Sequence, residues 1–136
     1  MKYLLFIFFL ISPFIIKGQK NYLGFTVAEF KEAIKTEENV INIEYKKFDD
    51  EIAWSTVTFK NEHIISCSFM PFPNGICFHY GYLCRDYNEL NIFVRDLNKN
   101  FVKTEDWVWM DYNKKSIKWQ IFKHDTYFLV YADYTK

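Results

Sequence analysis

The four residues Pro73-Asn74-Gly75-Ile76 sit between two stretches in which apolar and polar side chains alternate. Asn-Gly accepts the positive φ angles of a two-residue reversal whose twist matches that of paired strands, so both flanks are drawn into one hairpin. Such a loop pairs Pro73 with Ile76 and, counting outward, Phe69 with Tyr80, Cys67 with Tyr82 and Ile65 with Cys84. One face of the hairpin is then apolar throughout, and the other carries Ser66, Ser68, Met70, His79 and Gly81. A one-residue slip would exchange the faces. The agreement between turn and pattern commits this region to an antiparallel sheet with one buried side.

The same alternation runs through residues 52 to 60, with Val57 and Phe59 inward and Trp54, Thr56 and Thr58 outward. It runs through residues 41 to 48 as well, where Ile41, Ile43 and Tyr45 oppose Asn42, Glu44 and Lys46, and Asp49-Asp50-Glu51 forms the turn between these strands. Further on, turns at Asn113-Lys114 and His124-Asp125 predict three more strands. Two-residue loops there pair Met110 with Ile117, Val108 with Trp119, Trp119 with Val130, Ile121 with Phe128 and Ile117 with Ala132.

Each group of strands follows a helical pattern. Thr26 stands three residues before Glu29, the spacing of a reciprocal capping box, and Phe25 and Phe30 suit the accompanying hydrophobic staple. Val27, Phe30 and Ile34 share one helical face. Sixty residues later Asp86 and Glu89 repeat the device, with Tyr87, Leu90, Val94 and Leu97 as the stripe and Phe93 at its margin. The tetrapeptides 59 to 62 (FKNE) and 122 to 125 (FKHD) echo each other at an offset of 63. The expected fold is therefore α+β, with two helices packed on one side of an antiparallel sheet system of about seven strands, built from a duplicated helix-plus-meander unit.

Lys2 precedes a short apolar run from Tyr3 to Ile16, interrupted by Ser12 and Pro13. A membrane span needs ~20 apolar residues, so residues 1–18 read as a secretory signal peptide and residues 19–136 as a single α+β domain. The expected address is exported, periplasmic or secreted, with no stable membrane insertion after cleavage. Without Lys2 and Lys17 the chain holds 15 basic and 17 acidic residues. That balance offers no basic field for nucleic acid.

Three cysteines in an exported chain raise the question of a disulfide. The hairpin register makes Cys67 and Cys84 diagonal neighbours on the inner face, the pair that could bridge, and leaves Cys77 outward. Cys77 and His79 then share the outer face, where imidazole could activate a thiol. His63 and His79 fall on opposite faces and His124 in a remote turn, so the histidines predict no metal site. No glycine-rich phosphate loop or serine nucleophile elbow is present, and no cofactor is expected.

Aromatic residues make up 21% of the chain, and they gather late, in WVWMDY (107 to 112). If Val108 and Met110 face the helices, Trp107 and Trp109 face away. The expected registers place Trp107 beside Gln120 and Leu129, and Trp109 beside Lys118 and Tyr131, with Lys118 between two rings. Trp107, Trp109, Lys118, Gln120, Leu129 and Tyr131 are thus the candidate binding residues of the outer sheet face, since tryptophan and tyrosine are enriched at binding hot spots.

The leader ending before Gln19, the NYLGFT that follows at 21 to 26, the short helix and the tryptophan-rich meander resemble small exported proteins common in Bacteroidota. That likeness implies an envelope or extracellular address. The helix-plus-meander repeat is similar in outline to the tandem units of β-lactamase-inhibitory proteins, which bind a partner enzyme on a concave sheet. It is a likeness of architecture and transfers no residue. The leading expectation is an exported, non-enzymatic binding module for a protein or a small apolar or aromatic ligand, an inhibitor or immunity factor being one instance. A small enzyme using Cys77 and His79, or a structural envelope component, are the alternatives.

Overall fold

The computed structural model describes residues 21–71, 75–112 and 116–135, so the expected leader lies outside the described residues. Thr26 starts the first helix, α1 (Val27–Lys35), as its sequence dictates. Its hydroxyl accepts from the Glu29 N–H at 3.2 Å, and the Glu29 carboxylate accepts from the Thr26 N–H at 2.8 Å. The apolar spacing then turns Phe30 and Ile34 inward. Helix α2 (Tyr87–Asn100) opens on Asp86, which accepts from the Asn88 N–H at 2.9 Å. Here Leu90, Phe93 and Leu97 form the buried stripe, so Phe93 sits at its centre and Val94 at its edge.

Four strands follow each helix. After α1 come β1 (Val40–Phe48), β2 (Glu51–Phe59), β3 (Ile64–Phe69) and β4 (Cys77–Cys84). After α2 come β5 (Val102–Glu105), β6 (Val108–Asp111), β7 (Ile117–Lys123) and β8 (Phe128–Tyr134). The fold is α+β. The count is eight strands instead of about seven because β5 is only four residues long and exposed throughout, leaving no buried face to betray it in the sequence.

All pairings are antiparallel in one sheet of order β1-β2-β3-β4-β8-β7-β6-β5. Exchanging the first four strands for the second four reads the same order backwards, so a helix-plus-four-strand unit occurs twice around the β4–β8 seam. The two helix starts correspond in that repeat. The FKNE and FKHD echo does not, because Phe59 ends β2 whereas Phe122 lies near the end of β7.

Loop length decides the registers. Asp49 and Asp50, at φ 48° and 64°, make a two-residue turn that pairs Phe48 with Glu51. β3 and β4 pair Ile65 with Tyr82 and Cys67 with Tyr80, two residues away from the expected register. The shift is even, so the faces stay as assigned. Pro73 and Asn74 lie outside the described residues, and Met70 N–H bonds to the Ile76 carbonyl at 2.8 Å. A bulge then pairs Phe69 with Cys77 and leaves Phe78 as an extra, exposed residue. β7 and β8 also differ by two, pairing Trp119 with Ala132 and Ile121 with Val130 around residues 124–127. Between β6 and β7 the difference is one: Trp109 pairs with Trp119, and Val108 with Gln120.

Both helices lie on the same side of the sheet, Phe30 against Phe69 at 5.6 Å and Phe93 against Phe128 at 6.2 Å between ring centres. Val57, Ile65, Cys67, Tyr80, Tyr82, Trp109, Trp119 and Val130 complete the core beneath them. Among the described residues no helix is long and apolar enough to cross a membrane.

Candidate functional site

The sheet face away from the helices presents side chains in rows set by the registers. One row runs Trp54, Ser68, His79, Asp133 and Lys118 across β2, β3, β4, β8 and β7. A neighbouring row runs Thr56, Ser66, Gly81, Tyr131 and Gln120, and beyond it Leu83, Leu129 and Phe122 are aligned. At the β1 end Lys46 Nζ stands 4.8 Å from the centre of the Trp54 ring, a cation–π contact. Near the seam His79 Nδ1 is hydrogen-bonded to Asp133 Oδ1, and the Tyr131 ring lies 5.5 Å from the imidazole at 37°. Gly81 makes room for Ser66, because a Cβ there would sit 2.6 Å from Ser66 Oγ, while the Tyr131 ring would be in ordinary contact at 3.7 Å. Burial raises the Tyr131 hydroxyl above its ordinary pKa.

Four of the expected residues are on this face: Lys118, Gln120, Leu129 and Tyr131. Lys118 stands beside Asp133 and Met110 instead of between two rings. Trp107 occupies the β5–β6 turn at φ 62°, half exposed, with its carbonyl accepting from the Ile121 N–H at 3.0 Å. Trp109 is corrected. The odd register shift turns it to the inner face, where it is 1% exposed and its indole N–H donates to Asn98 Oδ1 at 2.8 Å. His79 with Asp133, and Trp54 with Lys46, were absent from the expectation. Alternation places His79, Trp54 and Lys46 away from the inward residues, but nothing local in the sequence reveals that β4 meets β8.

The cysteines are also rearranged. Cys67 faces Tyr80, while Cys84 pairs with Phe128 four positions further along β4, roughly 13 Å at a strand's rise. A Cys67–Cys84 bridge is out of reach, and all three cysteines are free thiols. The bulge turns Cys77 inward and fully buries it, its thiol donating to the His79 carbonyl at 3.2 Å. Thiol and imidazole therefore lie on opposite sides of β4. Cys77 instead shares a hydrogen bond with Cys67, which together with burial pushes the Cys67 thiol far above its ordinary range.

On the helix side a second polar group is buried where β4 ends and α2 begins. The Tyr82 hydroxyl donates to a Glu89 oxygen at 2.5 Å and lies 2.7 Å from His63 Nδ1. His63 Nε2 is 3.1 Å from Cys84 Sγ. Burial, reinforced by the Glu89 charge and opposed by the hydrogen bond with the Asp86 backbone, pushes the Cys84 thiol up to about 11. Glu89 was expected to close a capping box. Its carboxylate turns to Tyr82 instead, and Asp86 caps α2 alone. No protein family, curated protein or solved structure matches the chain.

Proposed function

We propose that the chain is an exported, non-enzymatic binding module whose sheet face opposite the two described helices engages a partner protein. The observation that carries this reading is the eight-stranded sheet with both helices on one side. Seven strand spacings of ~4.8 Å give a face roughly 34 Å across. That breadth suits a protein contact of ~800 Å² per partner better than a small ligand. Its composition suits the same purpose: Tyr131 and Trp54 offer rigid rings with polar edges, and Lys118, Gln120 and His79 add hydrogen bonds around them. The separation of Cys77 from His79 removes the arrangement on which the enzyme alternative rested.

The test is capture from the native envelope fraction and culture fluid by the purified protein, compared with Tyr131→Ser and Lys118→Glu. Both substitutions are expected to abolish capture of one dominant protein while shifting the melting temperature by no more than about 2 °C, as for surface changes away from core features. Equal capture by wild type and both variants contradicts the reading.

A further inference from the structure

His63, Cys84 and Glu89 come from the residue before β3, the last residue of β4 and the first turn of α2. Their ligating atoms all lie within 4.8 Å of one another. His63 Nε2 is 3.1 Å from Cys84 Sγ and 3.5 Å from one Glu89 oxygen, and the sulfur is 3.7 Å from the other. Nitrogen, sulfur and oxygen ligands held ~2.0–2.3 Å from a tetrahedral zinc ion stand roughly 3.3–3.8 Å apart. The nitrogen–sulfur separation, and the approach of each atom to Glu89, fall within a few tenths of an ångström of those spacings; nitrogen and sulfur meet different carboxylate oxygens, so a single ligating oxygen requires a small rotation of the Glu89 carboxylate.

The hydrogen bonds around the triangle fix which atoms are free to bind. Tyr82 has one hydroxyl proton, and an ionised Glu89 can only accept, so Tyr82 donates to Glu89 and accepts from His63 Nδ1–H. That chain selects the tautomer with a bare Nε2, directed at Cys84 Sγ. A lone pair, a thiol and a carboxylate oxygen thus converge with one thiol proton among them. The Asp86 N–H approaches the same sulfur at 3.3 Å, a donor that favours thiolate. Support of the other ring nitrogen by a fixed neighbour is the usual environment of a ligating histidine. The His63 and Glu89 side chains are 11% and 22% exposed, and His63 and Tyr82 also line a small cavity with Asn39, Asn61 and Phe59.

We propose that His63 Nε2, Cys84 Sγ and Glu89 together bind one divalent transition-metal ion, with zinc the match to this donor set and a fourth position left for water or an external ligand. Thiolate and imidazole exclude calcium and magnesium, which take oxygen ligands. Binding transfers the Cys84 thiol proton to solvent and changes no oxidation state. The site lies on the helix side of the sheet, so it stands or falls independently of the outer face.

Cobalt(II) added to the reduced, metal-free protein tests it. The expected result is one equivalent bound, with a sulfur-to-cobalt charge-transfer band and the intense visible bands of tetrahedral cobalt, displaced by one equivalent of zinc. Cys84→Ser removes the charge-transfer band, Glu89→Gln weakens zinc at least tenfold, and Cys77→Ser leaves the spectrum unchanged. Circular dichroism confirms that each variant is folded. Should Cys84→Ser fail to fold, the near-isosteric Glu89→Gln and the Cys77→Ser spectrum decide. Absence of cobalt bands in the folded wild type overturns the proposal. So does undiminished zinc affinity in Glu89→Gln, or a charge-transfer band that survives Cys84→Ser or vanishes in Cys77→Ser.

Discussion

The Trp109 indole is held at both ends, its rings buried against α2 and its N–H on Asn98 Oδ1. Trp109→Ala is expected to cost about 3–5 kcal/mol, the range for emptying a large aromatic site in a core. Asn98→Ala, which leaves the indole N–H unpaired, should cost about 1–3 kcal/mol. Urea unfolding of the two variants measures both, and near-wild-type stability in Trp109→Ala would return the ring to the surface. Sequence alone could not place this ring, for a physical reason. Val108 and Met110 on one side and Trp107 and Trp109 on the other are both apolar enough to be core, so alternation does not choose. Only the loop length chooses, and five residues, 112–116, replace the expected two. The cysteines follow similar logic: the bulge at Phe78 turned Cys77 inward, and alternation cannot reveal a bulge.

At the scale of the elements, ends were more legible than partners. The Thr26 box was written in two residue types three positions apart, and both of its bonds are present. Thr26→Ala should cost roughly 1 kcal/mol, the usual worth of an N-cap. Glu89 was misassigned because a capping glutamate and one reaching across to a strand look identical in sequence, and only the position of Tyr82 separates them. The β1–β2 turn keeps Asp50 at φ 64°, where a side chain is strained and glycine is not. Asp50→Gly is expected to stabilise the protein by about 0.5–1 kcal/mol, read as a higher urea midpoint at unchanged slope; a lower midpoint would mean the turn is not of this type. Strand order was the least legible property. Asn-Gly and the alternating runs fix neighbours within each meander, yet the β4–β8 seam joins segments some fifty residues apart without a turn between them.

For the molecule as a whole, the helices seal one sheet face with an aromatic core that also sets its response to alkali. Burial raises the hydroxyl pKa of Tyr22, Tyr80 and Tyr82 above the ordinary value of 10.0, with Glu37 reinforcing it at Tyr22 and Glu89 at Tyr82. Because the folded values are raised, their contribution is complete below pH 10 and is lost as pH rises past it, when the unfolded chain ionises first. Stability should thus fall above pH 10, and these phenols should ionise only with unfolding; early, non-cooperative titration of every tyrosine by absorbance would contradict the buried assignment. The opposite sheet face carries no helix among the described residues and is the proposed contact surface. The most direct test is residue-level chemical footprinting of the captured complex against the free protein. The expected result is protection of His79, Lys118 and Tyr131, with Glu32, Lys35 and Lys99 on the helices modified as readily as before. Protection of the helical residues with His79, Lys118 and Tyr131 still reactive would place the partner on the wrong side of the sheet and contradict the proposal.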